Sequence, residues 1–339
     1  MQNLLAIEQE IDPSAKQKEI VIITHTRPDG DALGASLGLA AFLRHKSHKI
    51  KIITPSPHPA FLDWLPGMEH VICYNPTRPT EALDLIAAAD LIFCVDFGCL
   101  QRAEHLGDAI QQANAKKIII DHHQELEDFA DIVCRNPQAT SSAELVYELI
   151  IALGGSQLID TALAECLYTG IMTDTLCFTT PNTTPRSHMI AAELLQKDIN
   201  ITKINTFIYG SNSLNRLKLL GFVLSKRLTI IKGHKTAYIV IKAADAKYFH
   251  LKTGDTEGIV NYALSLQGIV MAALIKEKDD RICLSLRSTG DIPVNIWAKE
   301  YFNGGGHKNA AGGVSHLSLE ETIRNFEALV KAKHNILSK

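Results

Sequence analysis

Residues 22–34 read Ile22-Ile23-Thr24-His25-Thr26-Arg27-Pro28-Asp29-Gly30-Asp31-Ala32-Leu33-Gly34. The apolar run Ile20 to Ile23 predicts a short buried strand. Pro28 and Gly30 then turn the chain. Ala32 to Arg44 has helical length and many small residues, so this helix can pack close to a sheet. The turn concentrates one imidazole and two carboxylates within seven residues. Donors this close repel one another unless a cation sits among them. The alternative is a solvated polar turn, and the rest of the chain decides between the two.

Further strands are legible downstream. Lys49 to Thr54 is one, followed by a Pro-rich loop. Leu91 to Val95 is fully apolar and ends on Asp96; Ile118 to Ile120 ends on Asp121-His122-His123. Helical stretches, such as Ala82 to Ala89, separate these runs. Strands that are apolar throughout, alternating with helices, predict an α/β fold: a mostly parallel sheet with helices on both faces. Ligands of such sheets gather beyond the carboxyl ends of the strands. His25, Asp29 and Asp31, then Asp96, then His122 and His123 all fall there. A helix from about Leu158 to Met172 runs into Thr173-Asp174-Thr175, which makes Asp174 a fourth point of delivery. Ser141 to Glu144 reads as a capping box opening another helix.

The chain has 339 residues, 46% hydrophobic and 21% charged, enough for two domains with their own cores. The expected division is a catalytic domain over 1–185, a helical connector over 186–228 and a smaller α/β domain over 229–339, set across a cleft. Net charge is −3, but residues 1–200 carry a balance of −12 and residues 201–339 one of +9. An acidic half suits cation binding and a basic half suits phosphate, which disfavours a binder of long nucleic acid. The first eighteen residues lack a basic start followed by an apolar core, and no run approaches the length of a membrane span. Seven scattered cysteines without a Cys-x-x-Cys predict reduced thiols in a cytoplasmic protein. Cys94, Cys99, Trp64 and Trp297 read as packing residues, and histidines 45, 48, 58, 234 and 334 as exposed.

Carboxylates mixed with imidazole suit Mn²⁺ or Mg²⁺ better than a thiolate zinc site. One ion cannot use so many carboxylates without excess negative charge. Two ions sharing a bridging carboxylate can, about 3.5–4 Å apart, with a water armed for in-line attack on phosphorus. In the second half, Asn303-Gly304-Gly305-Gly306-His307-Lys308 exposes backbone N–H groups, with a helix expected immediately after; this is a cradle for an anion such as phosphate. Arg287, leaving the strand Ile282 to Leu286 beside Ser288, presents a guanidinium for the same purpose.

At this point the sequence resembles the DHH phosphoesterases. His25 to Gly34, Asp96, Asp121-His122-His123 and Thr173-Asp174-Thr175 match that family's four motifs in order. Arg287-Ser288, Gly304 to His307 and Ala310-Ala311-Gly312 are similar to its associated C-terminal domain. The resemblance implies one Mn²⁺ on His25, Asp29 and Asp96 and a second on Asp31, Asp96, His122 and Asp174, with Mg²⁺ or Co²⁺ able to substitute. It implies that Asp96 bridges them, that His123 faces the scissile phosphate, and that Arg287, Ser288, Gly304, Gly305, Gly306 and His307 hold the substrate's terminal phosphate. Within the family the motifs look like those of the NrnA-type enzymes. These degrade very short RNA and dephosphorylate 3′-phosphoadenosine 5′-phosphate (pAp). The expected substrates are therefore short oligoribonucleotides, pAp or linear dinucleotides. Alternatives are a pyrophosphatase or exopolyphosphatase, a cyclic-dinucleotide phosphodiesterase, or a nucleotide-binding module without turnover. No membrane partner is expected, and a homodimer is left open. Phe97 and Gly98 stand where relatives often carry small polar residues, a departure that bears on specificity.

Overall fold

The computed structural model describes residues 3–12, 16–124, 126–252, 254–278 and 280–333, so His334 lies outside the described residues. The chain divides into two compact units, 1–211 and 212–339. No helix among the described residues is long and apolar enough to cross a membrane.

The first unit is built on six parallel strands: β1 (Glu19–Ile23), β2 (Lys49–Thr54), β3 (Val71–Cys73), β4 (Leu91–Val95), β5 (Lys116–Asp121) and β6 (Ile132–Arg135). Their order is β3-β2-β1-β4-β5-β6. The chain thus builds outward from β1 in one direction, then returns to lay β4 on its other side, with Ile23 beside Cys94. The connections leaving β1 and β4 pack on opposite faces at that switch point, where ligands of such sheets gather.

Alternate residues of each strand serve opposite faces, and both faces are covered. Ile20, Ile22, Phe93, Val95, Ile118 and Ile120 pack into one core. Val21, Ile23, Ile92, Cys94 and Ile119 pack into another with Ile86, Leu106 and Ile110. Double coverage is why these strands read as unbroken apolar runs. Over the first face lie α1 (Gly30–His45), α2 (Ser142–Ala152) and α3 (Thr161–Asp174). Contrary to the expectation from sequence, the small residues of α1 face α3 more than the sheet. A Cβ at Gly38 would lie 2.6 Å from Leu167 Cδ2, and one at Gly34 would press into the Cys166 carbonyl oxygen, 2.9 Å from Gly170 N. Glycines one turn apart let the two backbones approach closely.

Two further helices, Pro185–Leu195 and Ile201–Tyr209, place Ile190, Leu194 and Ile204 in the first unit's core. Helix Leu214–Lys226 places Leu219 and Val223 in the second. Trp64 stacks on Phe207 at 5.1 Å, and Trp297 is buried. Three of the histidines expected at the surface are not fully exposed, His234 being half-buried. His48 is buried, hydrogen-bonded to Lys18 N and Ile11 O, and His58 is half-buried against Asp63.

The second unit has its own mixed sheet of β7 (Leu228–Ile231), β8 (Thr236–Ile241), β9 (Met271–Lys278), β10 (Arg281–Ser288), β11 (Gly305–His307) and β12 (Ala310–Ser315). The order is β11-β12-β10-β9-β8-β7, with β8 and β9 parallel and the other pairs antiparallel. Helices cover both faces here too: Trp297, Phe326 and Val330 on one, Leu219, Ile259 and Ala263 on the other.

Candidate metal centre and phosphate-binding strand

Each carboxylate of the first unit's site is aimed by local structure. Asp29 is the N-cap of α1, its Oδ1 accepting from Asp31 N and Ala32 N at 3.1 Å. Capping spends one oxygen and leaves Oδ2 toward His25, whose Nε2 lies 3.9 Å away. Asp31, in the first turn of the same helix, is buried and accepts from the N-terminus of α2: Ser142 N at 2.7 Å and Ala143 N at 2.9 Å. Asp96 follows β4 in the left-handed region (φ 67°), a conformation that Asp tolerates better than most residues. Its Oδ1 accepts from Ser142 Oγ at 2.8 Å. Asp174 closes α3, the last residue of the helix rather than a position beyond it.

The imidazoles are fixed as well. His25 Nδ1 donates to Thr26 O at 2.7 Å, so Nε2 carries the lone pair into the site. That atom is buried, 3.3 Å from Asp96 Oδ2, and makes no hydrogen bond among the described residues. His122 Nδ1 faces Ala139 O at 3.3 Å. Its Nε2 lies 3.7 Å from Asp31, 3.5 Å from Asp96 and 3.9 Å from Asp174. His123 Nδ1 is 2.7 Å from Asp121 Oδ1, and its Nε2 is 3.0 Å from Arg102.

Two three-donor clusters result, His25–Asp29–Asp96 and Asp31–Asp96–His122, each with donor atoms within 4.8 Å of one another. Asp96 belongs to both. A third grouping, Asp96–Asp121–His123, adjoins them.

The electrostatics are those of a site short of positive charge. Burial and the neighbouring Asp96, Asp174 and Asp29 push the Asp31 carboxyl well above the usual range. Burial likewise moves Asp174 up to about 6, with His122 opposing and Asp29 and Asp96 reinforcing. Burial works against ionisation of Asp96 too. There the surrounding imidazoles of His25, His123 and His122 prevail and hold it well below the usual range. His122 is raised: burial opposes its charge, but Asp174, Asp96 and Asp121 outweigh it. Carboxylate oxygens, a buried imidazole nitrogen without a hydrogen bond and mutual repulsion together fit a divalent cation.

In the second unit, Arg287 lies in β10 between Ala310 of β12 and Ala272 of β9. Ser288 is buried, donating to Ile292 O and accepting from Asn309 Nδ2, so its hydroxyl braces the strand end. The glycine-rich segment is not a loop opening a helix, as the sequence suggests. Gly305 to His307 form β11, the edge strand. Close approach explains the glycines: a Cβ at Gly306 would lie 2.6 Å from Ala310 O, and one at Gly313 2.6 Å from Phe302 Cβ. As an edge strand, β11 has no strand neighbour on one side, while the N–H of Gly304 just before it donates to Ala298 O at 3.0 Å.

The sequence pattern of the DHH family N-terminal domain matches residues 19–171, and that of the DHHA1 domain matches residues 235–337. The chain belongs to the DHH family. It is a phosphoesterase, and so a hydrolase. It is similar to the bifunctional oligoribonuclease and PAP phosphatase NrnA of Bacillus subtilis (strain 168): 29% identical over 321 residues, 92% of this chain and 95% of that one. Among solved structures it resembles an exopolyphosphatase-related protein from Bacteroides fragilis, 36% identical with a TM-score of 0.93, covering 100% of this chain and 98% of that one. RecJ from Thermus thermophilus, in complex with Mn²⁺, shares the fold at 14% identity and TM-score 0.54, covering 98% of this chain and 54% of that one.

Sequence reasoning did not single out Ser142, which orients Asp96, or Arg102, which meets His123. Ser142 lies inside the stretch read as a helix cap. Arg102 follows Asp96 closely in the chain, and that proximity was the one available signal. The departure at Phe97 is accounted for by packing: the ring is buried in the core of the sheet's other face with Ile23 and Cys94.

Proposed function

We propose that this DHH protein hydrolyses phosphate esters of very short nucleotides: oligoribonucleotides of a few residues, pAp and linear dinucleotides. His25, Asp29 and Asp96 would hold one divalent cation; Asp31, Asp96, His122 and Asp174 would hold the other, with Mn²⁺ the ion of choice. Bound there, such a pair supplies charge stabilisation at phosphorus and an acidified water. The protein's own part is positional. Asp96, oriented by Ser142 Oγ, is common to both donor sets, and that shared carboxylate is the observation carrying the reading. His123, aligned by Asp121, is set beside Asp96, its Nδ1 3.6 Å from Asp96 Oδ1, to meet the scissile phosphate. Arg287, the backbone of Gly305 and Gly306, and His307 would take the substrate's terminal phosphate, with Gly304, its N–H tied to Ala298 O, positioning the segment. Ser288 would serve by holding Arg287's strand in place.

The Bacillus subtilis relative, similar along almost its whole length, supports this choice of substrates. A second reading is favoured by the Bacteroides fragilis structure, whose protein is described as exopolyphosphatase-related: hydrolysis of phosphoanhydrides. A metal-titrated assay of the purified protein decides between them. It compares pAp, two- to five-residue RNA, linear and cyclic dinucleotides, pyrophosphate and polyphosphate. Turnover of pAp and short RNA with none of pyrophosphate or polyphosphate is expected. The reverse pattern would replace the first reading with the second.

A further inference from the structure

Arg102 belongs to none of the motifs above, yet it meets the ends of three strands. It sits in the short helical turn Leu100–Leu106 after β4. Its carbonyl oxygen accepts from Thr26 N at 2.7 Å, next to His25. Its Nη1 donates to the Asp96 carbonyl oxygen at 3.3 Å and lies 3.0 Å from His123 Nε2.

The contact with His123 has only one chemical sense. A guanidinium has donors and no acceptor, so His123 Nε2 is the acceptor. The ring proton then lies on Nδ1, facing Asp121 Oδ1. Arg102 on one side and Asp121 on the other thus fix the ring beside Asp96. The cation beside it at this edge of the site is Arg102. Its side chain is half-buried, and its Nε and Nη2 make no hydrogen bond among the described residues. These remaining donors keep the planar fork that matches a pair of phosphoryl oxygens. A brace for an acceptor ring would need only one neutral donor.

We propose that Arg102 is a catalytic residue whose guanidinium contacts the non-bridging oxygens of the scissile phosphate, beside the His123 ring that it holds. This rests on the site reading given above, and the tests separate the two.

Arg102→Ala, Arg102→Gln and Arg102→Lys would be assayed on pAp and diadenylate, with Mn²⁺ binding followed by titration calorimetry. Loss of a donor acting on developing charge predicts kcat falls of about 10²–10³-fold in the Ala and Gln variants. KM should move much less, since the contact strengthens toward the transition state. Arg102→Lys should recover part of the loss, and guanidinium ion in the buffer should raise the Ala variant by about tenfold while leaving the parent unchanged. Mn²⁺ affinity should stay at the parent's value in all three. The assignment is overturned by an Ala variant that turns over at the parent's kcat. It is also overturned by equal losses in the Lys and Ala variants with no guanidinium rescue and weakened Mn²⁺ binding, the signature of a brace. Asp96→Asn serves as the reference. If it retains turnover, the underlying site reading fails; if it is inactive while Arg102→Ala is active, only the assignment of Arg102 fails.

Discussion

Substituting Gly34 by Ala tests how tightly helix packing is coupled to the candidate metal centre. The added methyl would meet backbone on both sides: the Cys166 carbonyl oxygen, and Gly170 N at 2.9 Å against an ordinary contact beginning near 3.4 Å. Neither neighbour can rotate away, so α1 and α3 must part by about 0.5–1 Å, and overpacking of this kind costs about 1–3 kcal/mol. Replacing a helical glycine returns about 0.5–1 kcal/mol through backbone entropy. The net loss is about 1–2 kcal/mol, or about 2–8 °C in the midpoint of a unit this size. The parting also has a chemical effect, because α1 carries Asp31 and α3 carries Asp174. Their distances to His122, 3.7 and 3.9 Å, would no longer be held together. Mn²⁺ affinity should therefore fall by about tenfold or more, as when the support of a metal ligand is disturbed. Gly221 is the internal control: it lies in an exposed stretch of helix with nothing within 4 Å of an added Cβ. Gly221→Ala should stabilise by about 0.5–1 kcal/mol with cation binding unchanged. Thermal melts and calorimetric titrations of both variants read all of this. A Gly34→Ala protein that melts at or above the parent temperature and binds Mn²⁺ as tightly would refute the coupling.

Asp96→Asn keeps a residue tolerant of the left-handed backbone and removes the shared charge; turnover should drop by more than about 100-fold with the fold intact by circular dichroism. Arg287→Ala should raise KM for pAp by about tenfold and change kcat little if the guanidinium grips a phosphate remote from the reaction; a fall confined to kcat would place it at the reacting centre. Metal-free protein should lose stability as pH rises from about 4 through 6. Asp31 and Asp174 have folded pKa values above their unfolded ones, so their protonated forms favour the native state, and that contribution disappears as each ionises. His122, also raised, extends the loss above its ordinary value. Asp96 and Asp121, both lowered, act oppositely and only as pH falls below about 4. Denaturant midpoints measured with chelator across pH 4–8 check the slope, and Mn²⁺ should abolish it. Rising stability over that interval would show that these carboxylates do not repel one another.

What could be read from the chain follows its physics. Strands β1, β2, β4 and β5 stood out because both their faces are covered by helices. The edge strands β3 and β6, only three and four residues long, gave too short a run to register. Donor residues directly beyond strand ends were legible for the same topological reason. Ser142 and Arg102 were not, because their approach to Asp96 and His123 depends on how distant segments cross. The glycine-rich segment misled for a definite cause. Glycine is a poor strand former by propensity, yet the crowding around Gly306, Ala310 and Phe302 admits no larger residue. His48 was placed outside because an imidazole is polar, whereas two backbone groups satisfy its ring inside.

The parallel sheet has a consequence for how the first unit assembles. Among the described residues it contains no hairpin: even its central pair joins Ile23 to Cys94, about a third of the unit's length apart in the chain. Non-local pairings of this kind close late and slowly, whereas β7–β8 and β9–β10 can zip up from local turns. The donors around Asp96 come from the ends of separate strands and two helices, so a half-built sheet holds only fragments of the pocket. A cation held by these donors would be captured only once β1, β4, β5 and the two helices have come together, so metal uptake during refolding would report that step.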